Sequence, residues 1–184
     1  MANILLAYQS TYGYTRKICE TMQTELRGRG LHADIAPLAG GGVDPARYDV
    51  IVIGASIRNG KHNPAVSEFI SANQALLESK PSAFFSVNLV ARKPDKNTPE
   101  TNPYVKKFLT RIPWKPRLVG VFAGNLDYRR YGTMDRNIIR LIMWITGGPT
   151  DPQARVEFTD WDEVRRFADK IVALAIGQTG HGQN

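Results

Sequence analysis

The 184-residue chain carries one cysteine, Cys19, and only three histidines, His32, His62 and His181. A single thiol excludes an internal disulfide and any cysteine-rich zinc site, and the scattered imidazoles make no metal-ligand spacing, so no metal is expected. Acidic residues are also scarce: 17 Asp and Glu stand against 24 Lys and Arg, a formal net charge of +7 at pH 7. Such an excess favours an anionic partner, whether nucleic acid, lipid or an acidic small molecule, without choosing among them. No apolar run reaches the roughly 18 to 20 residues that a membrane-crossing helix needs. The start, MANILLAYQS, has no basic leader and reads as a first strand, so a cytoplasmic chain is expected. There is no G-x-G-x-x-G for a dinucleotide and no G-x-x-x-x-G-K-[ST] for a nucleoside triphosphate. Nor does the first strand end in acidic residues, as a phosphoacceptor receiver requires; it ends in Tyr8 and Gln9.

What is present fits one ordered domain. Hydrophobic residues make up 42% of the chain and charged residues 22%, enough to build a core. At about 150 residues per domain, the length predicts a single domain over 1–176 with room for an insertion, then a flexible tail over 177–184. Short apolar runs alternate with helical patterns. Strands are expected over Asn3–Tyr8, His32–Pro37, Asp49–Gly54, Ser82–Val90 and Leu118–Gly124. Helices are expected over Thr15–Arg29, from Pro64, around Pro103–Thr110, and from Thr159 to Ala175, where Thr159 and Asp162 have capping-box spacing. Alternation with short connections means an α/β fold with a doubly wound parallel sheet. Five strands fit a flavodoxin-like sheet ordered 2-1-3-4-5, with ligands at its carboxyl edge. Residues 125–153 are too many for an ordinary connection and read as a functional insertion in the fifth strand, which would resume at Arg155–Phe158.

Ser10, Thr11, Tyr12, Gly13, Tyr14 and Thr15 lie between the first strand and first helix. A helix amino end presents unpaired N–H groups and a positive dipole, both suited to phosphate, and the hydroxyls add donors. Plain helix capping by the same Ser and Thr residues is the competing reading. The segment resembles the phosphate loop of flavodoxins, which bind the terminal phosphate of FMN there. Tyr8, Ser10, Gly13 and Thr15 meet the family pattern of an aromatic, a hydroxyl, a small residue and Thr; Ala7, Cys19 and Met22 depart from it at packing positions.

Further segments narrow the resemblance: GASIRNGKH (Gly54–His62), PSAFFSVNLVARKP (Pro81–Pro94), TPETNPY (Thr98–Tyr104), Arg136–Gly148 and TDW (Thr159–Trp161). Over about Asn3 to Ala173 the chain resembles the menaquinone-dependent protoporphyrinogen IX dehydrogenases, long-chain flavodoxin-like enzymes of bacterial haem biosynthesis. The resemblance implies FMN as cofactor, protoporphyrinogen IX as substrate, and menaquinone or ubiquinone as acceptor. It implies that Ser56, Ile57, Arg58, Ser86, Val87, Asn88 and Leu89 border the flavin ring, whose redox potential backbone amides can tune without reactive side chains. No catalytic acid or base is named. Arg92 and Lys93, with Arg58, are candidates for the substrate's propionates, since guanidinium groups form forked bonds to carboxylates; a solvated basic surface is the alternative. Arg129 and Arg130 in the insertion are candidates of the same kind.

Within the insertion, a helix over Met134–Thr146 is expected, strongly apolar from Ile138 onward. It could lie in a bilayer interface with arginines toward anionic headgroups, or pack on the sheet with Met143 and Trp144 in the core. A lipid-soluble acceptor makes the cytoplasmic face of the inner membrane, peripherally held, the expected location. Tyr128 and Tyr131 could pack on a tetrapyrrole or quinone. Rival functions are an NAD(P)H-quinone reductase and a non-enzymatic FMN carrier; carriers of this type are usually acidic, against +7 here. A nucleic-acid module is not expected, because the phosphate loop is intact, and homo-oligomerisation is left open. Cys19 is expected to be a buried, inert thiol and His62 no required acid or base.

Overall fold

The computed structural model of the protein describes residues 1–40 and 42–179. Five parallel strands form the frame: β1 (Asn3–Gln9), β2 (His32–Pro37), β3 (Val50–Arg58), β5 (Ser82–Val87) and β6 (Leu118–Phe122). Their order is β2-β1-β3-β5-β6, the expected 2-1-3-4-5 arrangement. The two-residue β4 (Lys61–His62) folds back antiparallel on the end of β3. Around the sheet run α1 (Tyr14–Gly28), α2 (Pro64–Ala72), α3 (Gln74–Ser79), α4 (Pro103–Leu109) and α6 (Trp161–Thr179).

The central strands are apolar on both faces because both are covered, and their period of two sorts the side chains. Ile4, Leu6, Val50, Val52, Ala83 and Phe85 pack with Ile18, Met22 and Leu26 of α1 and Phe167 and Ile171 of α6. Leu5, Ile51, Ile53 and Phe84 face the other way, toward Val66, Ile70, Leu77, Phe108 and Trp114. Gly54 lets the Phe85 ring lie flat on β3; any Cβ there would run into the ring. Cys19 sits in the first layer, fully buried, where burial pushes its thiol pKa up, so it is inert as expected.

Three expectations need correction. The insertion does not split the fifth strand. β6 passes through Ala123 and Gly124 into β7 (Asn125–Asp127), and the returning β8 (Arg155–Glu157) pairs only with β7, as a separate antiparallel ribbon. The last helix is capped by Asp160, whose carboxylate accepts from the amides of Asp162 and Glu163. Thr159 instead donates its hydroxyl to the carbonyl of Ala123, anchoring the return of the insertion. That helix also runs to Thr179, into the expected tail; 180–184 lie outside the described residues.

The insertion carries its own helix, α5 (Thr133–Ile145), within one residue of expectation. Met143 is fully buried against Leu126 and Tyr128, but Trp144 is 73% exposed. The core-packing reading therefore holds for Met143 and fails for Trp144.

Candidate functional site

At the carboxyl edge of the sheet, β1 gives way to the loop 10–13, and Gly13 takes a left-handed conformation (φ 81°) as the residue before α1. Glycine adopts that geometry without a Cβ penalty, so the chain turns tightly into the helix. α1 has no side-chain cap at that residue. Ser10 Oγ accepts from the Thr15 amide at 3.3 Å, so one hydroxyl does serve the helix end. Thr15 Oγ1, in contrast, is buried with no hydrogen-bond partner among the described residues. A buried hydroxyl left unmatched costs about 1–3 kcal/mol, so its presence at a helix amino end marks a place prepared for an acceptor such as a phosphate oxygen.

Beside this loop opens a cavity of about 410 Å³. It is bordered by Ser10, Thr11, Tyr12 and Tyr14 from the first loop, Ser56, Ile57 and Arg58 from the end of β3, and Val87, Asn88 and Leu89 from the end of β5. Three loops separated by about thirty or more residues each in sequence thus meet at one edge, as the parallel topology requires. Asn125 and Gly124 add the end of β6, and Ile138, Ile139, Ile142 and Met143 of α5 form an apolar roof. The sequence reading did not place Tyr104, Asn125, Asp135 or the α5 isoleucines here. Asn125 was discoverable from the rule that every strand's carboxyl end borders the crevice; the isoleucines were not, since their orientation depends on how the insertion folds back.

Ser86 is a correction. It does not border the cavity but lies beneath it, fully buried, with its hydroxyl bonded to His62 Nε2 (2.9 Å) and Asn88 Nδ2 (3.2 Å). Asn88 Oδ1 accepts from the Ala91 amide and from Asn102 Nδ2 at 3.0 Å. Asn102 in turn caps α4 by accepting from the amides of Tyr104 and Val105, with Pro103 in the first helical position. This chain of buried amides and hydroxyls fixes the loop after β5. It gives a physical role to the His, Asn and TNPY positions of the motif-bearing segments. His62 packs between Phe84 and Phe108, and burial lowers its pKa to about 4, so the ring is neutral and structural.

The basic candidates are largely committed elsewhere. Arg92 is half-buried; its guanidinium donates to the carbonyls of Leu89 and Thr146 and to Thr146 Oγ1 (2.6 Å). It therefore clasps the carboxyl end of α5, where a cation meets the negative end of the helix dipole, rather than offering a free fork to substrate. Arg129 and Arg130, with Arg155, surround the buried carboxylate of Asp127 at 3.6–3.7 Å, and Arg130 also donates to the Tyr12 carbonyl. Arg58 donates to Asp135 Oδ2 at 2.6 Å. Lys93 makes no side-chain hydrogen bond or ion pair among the described residues and does not border the cavity. Tyr128 is fully buried and donates to the Pro149 carbonyl, so it cannot meet a ligand; Tyr131 does border the cavity, edge-on to Tyr12.

Comparison with known proteins agrees with this geometry. Residues 5–153 match the family model described as a flavodoxin domain. Oxidised flavodoxin 1 from Bacillus cereus superposes with a TM-score of 0.54 at 16% identity, covering 94% of this chain and 98% of that one, a likeness of fold. The protoporphyrinogen IX dehydrogenase [quinone] of Escherichia coli (strain K12) is 44% identical over 173 residues, 92% of this chain and 94% of that protein. The Leishmania major protein of the same name is 43% identical over 174 residues, 94% of this chain and 75% of that protein. A flavodoxin domain implies a flavin site, and the cavity bordered by Ser10, Thr11, Tyr12 and Tyr14, with Gly13 and the buried Thr15 hydroxyl beside it rather than in its lining, fits one. The chain belongs to the flavodoxin-domain family and, within it, to the quinone-dependent protoporphyrinogen IX dehydrogenases.

Proposed function

We propose that this protein oxidises protoporphyrinogen IX to protoporphyrin IX with FMN as its cofactor, and passes the electrons to menaquinone or another quinone. The observation that carries the reading is the cavity itself. One side is the hydroxyl-bearing loop of Ser10, Thr11, Tyr12 and Tyr14, next to the buried Thr15, and the other is an apolar roof on the insertion. An anionic, ring-bearing cofactor suits the first; a large apolar reactant suits the second.

Oxidation removes six hydrogens from the tetrapyrrole, so three quinones each take two electrons and two protons. FMN when bound supplies the two-electron redox chemistry. The chain's part is to hold and to exclude water. Ser10, Thr11 and Thr15 with the amino end of α1 would hold the phosphate. The loops 56–58 and 87–89 would border the ring, and the roof isoleucines keep bulk water from the reacting faces. No catalytic acid or base is assigned; His62 is turned away onto Ser86.

The same reading includes membrane contact at the cytoplasmic face of the inner membrane. Among the described residues no helix is long and apolar enough to cross a bilayer. α5, with 13 residues, is about 20 Å long. Its outer face exposes Met134, Leu141, Trp144 and Ile145 at 77, 56, 73 and 68%, an unusual apolar stripe for a surface helix. Arg136 and Arg140, neither in an ion pair among the described residues, lie on the helix itself, and each cation near an anionic surface adds about 1 kcal/mol. Such a helix suits the interface plane, where a lipid-soluble acceptor is met.

The test is anaerobic. FMN-loaded protein, protoporphyrinogen IX and a menaquinone analogue should together generate porphyrin fluorescence, with flavin-free protein inactive. Bound FMN without fluorescence growth would reject the substrate. For the membrane part, Leu141→Ser with Trp144→Ser should abolish co-sedimentation with phosphatidylglycerol vesicles; unchanged sedimentation would reject it.

A further inference from the structure

α5 is held over the cavity in two different ways at its two ends. At the carboxyl end the attachment is buried. Met143 is fully enclosed with Leu126 and Tyr128, Arg92 clasps Thr146, and the Gly148 amide returns to the Met143 carbonyl at 2.7 Å. At the amino end, among the described residues, one side chain ties the helix to the sheet by hydrogen bonds. Asp135 Oδ2 accepts from Tyr12 Oη at 2.8 Å and from Arg58 at 2.6 Å, and Arg58 is half exposed. The residues just before the helix are fastened separately, through Arg130 to the Tyr12 carbonyl and through the Tyr131 ring, so they need not move with it. Glycines flank the helix: Gly132 precedes it, and Gly147 follows in a left-handed turn at φ 68°.

The cavity beneath is about 410 Å³. That is near the low end of the roughly 300–1,000 Å³ usual for a single ligand. Ile138, Ile139, Ile142 and Met143 cover it, so a four-ring substrate that is to lie on a flavin beneath them meets the roof. It enters by displacing that roof, and the end that can yield is the amino one, where among the described residues the tie to the sheet is Asp135 with half-exposed Arg58 and Tyr12, and Ile139 is only partly buried on Leu126 and Tyr128.

We propose that Asp135 is a positioning residue, the latch that holds α5 closed, and that the tetrapyrrole gains the cavity when the Asp135–Arg58–Tyr12 contact opens and α5 lifts about its Arg92–Thr146 root. The identity of the entering ligand rests on the function proposed above; the latch does not. Since Tyr12 and Arg58 belong to the loops that would hold FMN, occupancy of the cofactor site and closure of the roof are joined through the same two side chains. Asp135 touches no reacting atom in this scheme; it acts through the helix.

Amide hydrogen exchange on the FMN-loaded protein tests the latch. Asp135→Ala should speed exchange of residues 136–142 by about tenfold, equivalent to about 1.4 kcal/mol of local opening. Residues 143–148 should be unchanged, and Asp135→Asn should lie between wild type and Ala. Thr146→Val, which loosens the root, should give the reverse pattern. Stopped-flow association of protoporphyrin IX, followed by its fluorescence, should rise by a similar factor in Asp135→Ala, because the open fraction limits entry. Unchanged exchange at 136–142, or equal loosening at both ends, would overturn the latch. Faster exchange with an unchanged association rate would overturn its role in entry. A mobile α5 in a protein that never oxidises protoporphyrinogen IX would leave the latch standing and sink the substrate.

Discussion

Thr15→Val should act with opposite sign on the free and the FMN-loaded protein. No group of the described residues partners the buried Thr15 hydroxyl. Such a group costs about 1–3 kcal/mol relative to solvation, and valine of nearly the same shape removes that cost. The free variant should therefore be more stable by about 1 kcal/mol or more, which for a chain of this length raises Tm by about 2–4 °C per kcal/mol. With FMN bound, the hydroxyl becomes a donor to a charged phosphate, a bond contributing about 1.5–3 kcal/mol. Losing it should weaken FMN binding by about 10- to 150-fold. Titration by quenching of FMN fluorescence gives Kd, and thermal melts with and without FMN give the two stabilities. The FMN-induced rise in Tm should shrink in the variant while its free-protein Tm climbs. A variant that melts lower without FMN and binds it as tightly as wild type would refute the assignment of Thr15 to the phosphate, and would return the loop to plain helix capping.

Three other outcomes follow from the packing. His62 takes its proton near pH 4 when folded, against about 6.5 in the unfolded chain, so the unfolded state binds more protons between these values and stability falls as pH drops through that window. Urea denaturation at pH 7 and pH 4.5 should show a loss of about 2–3 kcal/mol in wild type beyond that in His62→Gln, and equal losses would contradict it. Gly54→Ala should destabilise by about 1–3 kcal/mol through collision with the Phe85 ring, read as a lower urea midpoint at unchanged m-value; a neutral result would mean the ring can move aside. Asn102→Ala removes an α4 cap and leaves Asn88 with one donor fewer, so a loss of about 2 kcal/mol is expected, with weaker FMN binding as the loop after β5 loosens. Calorimetry with FMN titration checks both.

The strands were legible because a parallel sheet covered on both sides needs continuous apolar runs, and DVIVIG and SAFFSV are such runs. The phosphate loop was legible because it is local: Ser10 to Thr15 are adjacent in the chain, and their spacing carries the geometry. Arg92, Arg129 and Arg130 misled for the opposite reason. A guanidinium in a loop looks the same whether it meets a carboxylate ligand, a helix end or a buried Asp127, and only the folded insertion shows that Thr146 and Asp127 already occupy them. Ser86 misled because adjacent residues of a strand point to opposite faces, so Val87 borders the cavity while Ser86 meets His62 below it. The capping of the last helix was misplaced by a single residue, Asp160 for Thr159, since both are good caps and only the contact to Ala123 decides between them.

Sequence alone therefore determined the elements, their α/β alternation, the order of the sheet and the loop at its first crossing, because each depends on local periodicity and on chain connectivity. The tertiary structure alone decided how the insertion lies. From Ile138 to Ile145 every residue of α5 but Arg140 is apolar, so that stretch of the pattern names no single inward face. Met143 goes in and Trp144 stays out because Arg92 fixes one end of the helix and Asp135 the other, across 54 and 77 residues of chain respectively from their partners Thr146 and Arg58. Contacts that long in sequence are set by where the loops meet in space.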